Sequence, residues 1–340
     1  MTIDRRRLVA GGLAAPVLLG LAGAAQAAGA LKISHQFPGG TIEQGDFRDR
    51  LCRRFAAAIA ARSNGEMSAD IYPNSSLMKT FAQFSALRKG ALDFTLLPLA
   101  YAGGEVPETN IGLMPSLVSN YAQGMAWKSN PIGKELTDFL ASKGVVIVTW
   151  IWQAGGAATR ARPLVGPEDA KGQKLRGGSR EMDMVLQAAG AAVLSLPSNE
   201  LYAAMQTGAC DGGVTSSTSL ISFRLEELAK NLTTGRGGAY WFMFEPLLMS
   251  KAVFDKMPKA AQDLIMAVGA QMEAFALEAA KADDIEVANV YQKAGAAVFD
   301  LDRSALDRWQ AIARDTAWKD FSEKSASTAR FMKLALDVQG

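Results

Sequence analysis

The sequence predicts an α/β protein built as two similar lobes around a shared cleft, and three observations point there. Strand-like and helix-like segments alternate along the chain. One helix-stop-strand phrase occurs twice, as "ALRKGALDF" (Ala86 to Phe94) and "AMQTGACDG" (Ala204 to Gly212). The length, 340 residues, suits two cores better than one. Each phrase closes an apolar segment with Gly, then Ala, one apolar residue and Asp.

The elements follow in order. "ALKISHQFP" alternates into a short strand stopped by Pro38-Gly39-Gly40, and Phe47, Leu51, Phe55 and Ile59 then recur on one helical face up to Asn64-Gly65. "MSADIYP" alternates as a strand. Phe81, Phe84 and Leu87 predict a helix stopped by Gly90, and "ALDFTLLPL" is an apolar strand ending at Pro98. Buried strands between helices argue for an open, largely parallel sheet. "GVVIVTWIW" (Gly144 to Trp152) is another β-branched strand. The small and turn residues of "QAGGAATRARPLVGPEDAKG" read as a crossing between lobes.

The second lobe repeats this grammar. "QKLRGG" is a strand with a glycine exit, "EMDMVLQAAG" is a helix stopped by Gly190, and Ser198 is an N-cap with Glu200 in the first turn. From Ala260 to Lys293 there is no Pro and only Gly269, with Leu264, Ile265, Val268, Met272 and Phe275 in a helical stripe. That is one helix of roughly 50 Å at about 1.5 Å per residue, or two helices broken at Gly269 or Asp283-Asp284. The tail from Ser304 reads as a helix with a capping box of Ser304 and Asp307, and with Leu306, Trp309 and Ile312 inward.

The N-terminus carries an export signature. Arg5 to Arg7 form a basic region, Leu8 to Ala22 is apolar and free of acids, and Ala25-Gln26-Ala27 is a small-x-small cleavage site. "RRRLV" also resembles a twin-arginine signal. The expected product is a periplasmic protein cleaved near Ala27. With a net charge of +2 and no concentrated basic stripe, nucleic acid and anionic membrane are not expected partners. Cys52 and Cys210 are expected as buried free thiols rather than a bridge.

Catalytic templates are missing: there is no GxSxG, HExxH or Walker A motif, and His35 is the only imidazole. What remains suits binding. Arg176 ends a strand and precedes Gly177-Gly178. A guanidinium held there is a fork for a carboxylate, or else a structural arginine paired with an acid of its own lobe. Trp150 and Trp152 face one side of their strand end, and Trp241, Phe242 and Phe244 cluster in "GAYWFMFEP". Such aromatics form either core or the wall of a pocket. Asp93 and Asp211, which close the repeated phrase, read as acceptors for backbone N–H groups at strand entry.

"PEDAKGQKLR" followed by "SNELYAAMQTGACDG" resembles a TRAP-transporter solute-binding protein of the DctP type. "LKISHQF", "IYPNSSL", "ALRKGALDF" and "FMFEPLLMSKAVFDKMP" match in order, so the resemblance spans Leu31 to about Leu336. It implies a two-lobed periplasmic-binding-protein fold with a hinge and one long helix across both lobes. The expected division is residues 1–27 as signal peptide, 28–155 plus 243–283 as lobe I, and 156–242 plus 284–340 as lobe II.

By the same resemblance the chain is expected to capture a small organic acid and deliver it to a membrane permease; a monomer is the default, and no cofactor is expected. The family's carboxylate-binding arginine falls on Arg176. Gln36, Thr80, Pro98 and Tyr101 fall at cleft-facing positions of the first lobe, and Thr215 in the second. A second family arginine matches Arg160 or Arg162. Pro98 and Tyr101 replace the Glu and Arg of sialic-acid binders, and "GVTSSTS" replaces the residues of metal-dependent members. No metal is therefore expected, and the ligand is expected to be a smaller or more hydrophobic acid, an aromatic one included. An ABC-importer binding protein, an exported sensor and an enzyme are the competing classes.

Overall fold

The computed structural model describes residues 29–338, so the expected signal segment at residues 1–27 lies outside the described residues. The strands in chain order are β1 (Leu31–His35), β2 (Ala69–Tyr72), β3 (Phe94–Leu96), β4 (Val145–Thr149), β5 (Trp152–Thr159) and β6 (Lys174–Arg176). Then come β7 (Ala192–Val193), β8 (Gly212–Ser216), β9 (Asn231–Thr234), β10 (Phe242–Phe244), β11 (Leu247–Ser250) and β12 (Ala297–Asp300). They form two sheets, ordered β2-β1-β3-β11-β4 and β12-β9-β5-β8-β6-β7, with β10 pairing β5.

Each sheet is parallel except for one inserted strand, β11 in the first and β5 in the second. These are the strands that cross between lobes. β4 runs on into β5, and β10 returns into β11, so the lobes are joined by two antiparallel chains. The Glu245 N–H, just after β10, donates to the Ile151 carbonyl at 2.9 Å where the two crossings meet.

The segment from Gln153 to Thr159, read from its small and turn residues as a crossing between lobes, makes that crossing as the buried strand β5, which the sequence reading did not assign. Its glycines are small because neighbours press on them. A Cβ on Gly156 would stand 1.9 Å from the Thr233 carbonyl oxygen, and one on Gly155 would stand 2.3 Å from both the Thr215 oxygen and the Trp241 ring. Local propensity lost here to packing from both sides.

In the first lobe, the helix Phe47–Arg62 buries the predicted face of Phe47, Leu51, Phe55 and Ile59. Phe55 meets Phe94 of β3 edge-on at 5.4 Å. Each such ring contributes about 1.5–3 kcal/mol through burial. The repeated phrase does the same work in both lobes. Gly90 (φ +71°) and Gly208 (φ +75°) end their helices in the left-handed region, and the carboxylates that follow cap a neighbouring strand. The Lys32 N–H donates to Asp93 Oδ2 at 2.8 Å, and the Lys174 N–H donates to Asp211 Oδ2 at 2.8 Å.

Lys259–Lys293 is one helix of 35 residues, packed on the helix Phe47–Arg62, on the helix Ser217–Ser222 and on the crossing strands. Neither proposed break is real. Gly269 is a contact, since a Cβ there would stand 2.2 Å from the Val148 carbonyl, and Thr149 donates to the Gly269 carbonyl at 3.1 Å. Asp283 and Asp284 tie the helix down, accepting from Thr218 and from Tyr121, each at 2.7 Å.

Three local readings are corrected. Phe81 lies in a short 3-10 turn before the helix Gln83–Arg88 and is 50% exposed, because that helix begins one turn later than its apolar spacing suggested. The helix Arg303–Ala313 is capped by Asp302, whose side chain accepts from the Ala305 N–H, so Ser304 already lies inside it. Ser198 makes no side-chain cap, and its backbone N–H goes across the cleft. At the C-terminus, the helix Ala326–Leu336 packs on the first-lobe helix Pro131–Ser142, with Phe331 against Phe139 at 5.3 Å. Cys52 and Cys210 are buried free thiols in different hydrophobic clusters.

Candidate functional site

Arg176 is the last residue of β6, at the end of the strand that faces the other lobe. It is 1% exposed. Gly178 lets its guanidinium fold back, because a Cβ there would stand 2.6 Å from Arg176 Nη1. Nε donates to the Leu196 carbonyl at 3.0 Å, Nη1 to the Val214 carbonyl at 2.9 Å, and Nη2 to the Tyr101 hydroxyl at 2.6 Å. A guanidinium has five N–H donors. Three are used, leaving one hydrogen on each terminal nitrogen. Among the described residues no carboxylate lies within ion-pair distance of it, so the acid-paired alternative fails, although Asp183 of the same lobe feels its charge from further off.

Tyr101, from the first lobe, bridges the cleft. Its hydroxyl accepts from Arg176 and also from the Ser198 N–H at 3.0 Å. Pro98, Thr215, Met243 and Trp241 complete this wall. The lobes are closed on one another: the gaps among these side chains total about 200 Å³ and are nowhere wide enough for a water molecule. A ligand reaches Arg176 only when the lobes part. A larger hollow, about 1080 Å³ by the same measure, lies elsewhere, between Tyr121, Arg236 and Leu306, and contains neither buried arginine of the cleft.

The second of those arginines is Arg48, which sequence reading missed. It opens the helix Phe47–Arg62 behind the N-cap Asp46 and is 1% exposed. All five of its N–H groups are engaged. Asp46 accepts from Nε at 2.9 Å and from Nη2 at 2.6 Å, and Glu245 accepts from Nη1 at 3.2 Å. Ser216 and Ser219 of the second lobe accept from Nη1 and Nη2 at 3.3 and 3.1 Å. Phe37 lies 3.6 Å beneath the guanidinium. One signal was available: a cation in the first turn opposes the helix dipole, so Arg48 had to have a reason to be there.

The electrostatics follow from burial. Burial pushes the Asp46 carboxyl up, but the Arg48 charge and its hydrogen bonds outweigh that and leave it below the usual range. Glu245 is 0% exposed. Burial pushes its carboxyl up to about 7, Asp46 pushes the same way, and Arg48 opposes both. Its Oε2 accepts from Arg48 and Gln153, while Oε1 has no partner.

The other candidates divide. Arg176, Tyr101, Pro98 and Thr215 come together around the crevice. Thr80 sits at an inter-lobe contact, donating to Asn199 Oδ1 at 3.3 Å. Gln36 is buried with both amide atoms unpartnered, and it does not line the crevice. Trp150, Trp152 and Phe244 pack on one another with centroids 4.7 and 5.2 Å apart, and Trp127 meets Trp152 at 5.0 Å. They are buried in the core cluster, and none of them lines the crevice. Arg160 donates to the Met205 carbonyl at 3.3 Å and Arg162 to the Lys171 carbonyl at 2.9 Å, both at the far end of β5. His35 is buried with Nε2 3.2 Å from Asp49 and its ring stacked on Phe37.

Known proteins share this architecture. Residues 43–324 match the family model described as bacterial extracellular solute-binding protein, family 7, the DctP family. A solute-binding protein of Albidiferax ferrireducens is 65% identical over 335 residues, covering 98% of this chain and 99% of its own. A TRAP periplasmic solute-binding protein from Rhodoferax ferrireducens, solved with bound malonate, superposes with a TM-score of 0.90 at 67% identity, covering 91% of this chain and 98% of its own. The C4-dicarboxylate-binding periplasmic protein of Rhodobacter capsulatus is 24% identical over 263 residues, covering 76% of this chain and 78% of its own. The matched family and the similar proteins are solute receptors rather than enzymes, and the chain belongs to the DctP family of bacterial extracellular solute-binding proteins.

Proposed function

We propose that the chain is the periplasmic receptor of a TRAP-type transporter, capturing a small carboxylate on Arg176 and delivering it, as a monomer, to membrane permease subunits. The observation that carries this reading is the bonding of Arg176: a buried guanidinium with neutral acceptors only and one free N–H on each terminal nitrogen. A carboxylate takes two parallel N–H bonds and cancels the charge. The malonate bound to the Rhodoferax ferrireducens protein supports an acid of that size. The narrowness of the crevice, where Tyr101, Ser198 and Thr215 stand beside Pro98, Trp241 and Met243, favours a small acid over a bulky aromatic one.

The mechanism is closure by differential affinity. Closing buries Arg176 without a counter-charge, which is costly in a low dielectric. Bound carboxylate removes that cost, so it binds the closed form better and shifts the population toward it. Tyr101 lets the first lobe sense the event, since its hydroxyl already meets Arg176 and Ser198 across the cleft.

The test is a thermal-shift panel of small carboxylates on the mature protein, followed by calorimetry on the hits. A ligand at about a thousand times its dissociation constant adds roughly 4 kcal/mol, a shift of several degrees. Arg176→Ala is expected to abolish that shift. Calorimetry giving equal affinity for the variant and the parent would sink the reading.

A further inference from the structure

Glu245 is the buried ionisable group that the carboxylate fork leaves unexplained. It follows β10, where the two crossing strands meet, and its side chain lines the same crevice as Arg176. Arg48, Arg176 and Tyr101 share the crevice wall with it, and behind that wall its carboxylate meets Asp46, the N-cap of the first-lobe helix, and the neutral Gln153 of β5. Asp283 of the long helix faces the Asp46–Arg48 pair from behind. Oε1 of Glu245 is bare, and so is the carbonyl oxygen of Gln153.

A charge count narrows what fits beside it. Arg48 and Arg176 carry two positive charges, Asp46 and ionised Glu245 carry two negative ones, and Asp183 and Asp283 add further acids within range of the two arginines. A dicarboxylate would place one carboxylate on the free N–H pair of Arg176. Its second carboxylate would find Arg48 already saturated, with five N–H groups on five acceptors, and would meet Glu245, which lines the crevice with Oε1 unpartnered. Two carboxylates in a dry site with no cation between them hold a proton between them.

We propose that Glu245 is the second anchor of the site and that a small dicarboxylate binds with uptake of one proton, which Glu245 holds and donates through Oε1 to the far carboxylate. This rests on the Arg176 reading. The proton comes from solvent, no covalent bond changes, and the site then carries one negative charge fewer than it would without the proton. Burial, helped by Asp46 and opposed by Arg48, keeps the Glu245 carboxyl near 7, so the proton is within reach at neutral pH. The sign follows. Above about pH 7 Glu245 of the unliganded protein is ionised and must gain the proton, so affinity for a dianion falls about tenfold per pH unit. Below that it is already protonated, and the dependence flattens.

The experiment is calorimetry with malonate at pH 8 in phosphate and in Tris, whose ionisation enthalpies differ. The dependence of the observed heat on the buffer gives the protons taken up. About one per malonate is expected for the parent, and near zero for Glu245→Gln, whose affinity then stays flat from pH 7 to 8.5. If malonate gives no heat, the series from oxalate to glutarate takes its place, with acetate and propionate as monocarboxylate controls. A dicarboxylate that binds without proton uptake overturns the inference, as does uptake that persists in Glu245→Gln. Binding of monocarboxylates alone, lost in Arg176→Ala, overturns this inference and leaves the Arg176 reading standing. Binding of no acid at all removes both.

Discussion

Arg48 of the first lobe and Arg176 of the second are each 1% exposed, and both line the same crevice. Arg48 has every N–H engaged and two carboxylates as acceptors, whereas Arg176 has two N–H groups to spare and only neutral acceptors. A buried cation that the protein neutralises itself is part of the frame. A buried cation that it leaves uncompensated, while supplying just enough neutral acceptors to hold its orientation, is kept for something that arrives from outside. The contrast separates two residues that burial alone cannot tell apart.

The largest effects should come from exchanging those roles. Arg176→Ala is expected to weaken carboxylate binding by two to three orders of magnitude, since a buried charge-assisted pair is worth about 2–5 kcal/mol when one partner is truncated. Arg176→Lys should also weaken it strongly, because a point charge cannot reproduce the fork. Without ligand, Arg176→Ala should change stability by no more than about 1 kcal/mol. Arg48→Met is expected to do the reverse to stability. It strands Asp46 and Glu245 in the interior and should cost about 3–5 kcal/mol. Denaturant unfolding of the two ligand-free variants side by side reads the difference, and equal losses would erase the distinction.

The pH dependence of the ligand-free protein sharpens it. Burial raises Asp183 and Asp284 to about 6 and Glu245 to about 7, against ordinary values of 3.8 and 4.5. Between about pH 4.5 and 7 the folded state therefore holds more protons than the unfolded one, and stability falls as pH rises through that window. Asp46 and Asp49 act oppositely. In each, burial is outweighed by its partners, and the stability they give is lost only below about pH 4. The melting temperature should thus peak near pH 5 and decline toward neutral. Arg176 opposes the rise at Asp183, so Arg176→Ala should steepen the decline. A melting temperature that climbs steadily to pH 7 contradicts this account.

The lobe repeat offers a smaller and more symmetrical test. Asp93→Ala and Asp211→Ala each remove one carboxylate from a backbone N–H at the same place in each lobe, and each should cost roughly 1–3 kcal/mol. Ligand affinity should stay within a few-fold. A loss confined to one lobe would mean that the repeated phrase is a coincidence of spelling.

That repeat was legible in the sequence because its parts are local: a glycine that must take positive φ and a carboxylate a few residues on. The long helix was legible only as a choice, since pattern cannot tell a glycine that breaks a helix from one on which a strand packs, as Val148 packs on Gly269. Arg176 was legible from its place at a strand end. Arg48 and Glu245 were not, because what makes them part of the site is a meeting of residues far apart in the chain. The aromatic pair Trp150 and Trp152 drew attention for its size, and size is what the core uses. β5 was lost for the converse reason, since glycines and alanines read as a loop unless their neighbours are known.

The smallest expected effect concerns Arg160, matched by resemblance to a second ligand-binding arginine. Its side chain is exposed and makes one hydrogen bond, to the Met205 carbonyl at 3.3 Å, at the end of β5 remote from the crevice. Water can replace that bond, so Arg160→Ala should change stability by less than about 0.5 kcal/mol. Carboxylate affinity should move by less than about twofold, because Arg160 does not line the crevice and its exposed charge is screened at ordinary salt. The same titration carried out on Arg176→Ala and Arg160→Ala places the two arginines at opposite ends of one scale. Should Arg160→Ala lose tenfold or more, the second lobe must rearrange on binding so that β5 carries Arg160 toward the ligand, and the closed arrangement of the cleft would then differ from the ligand-bound one.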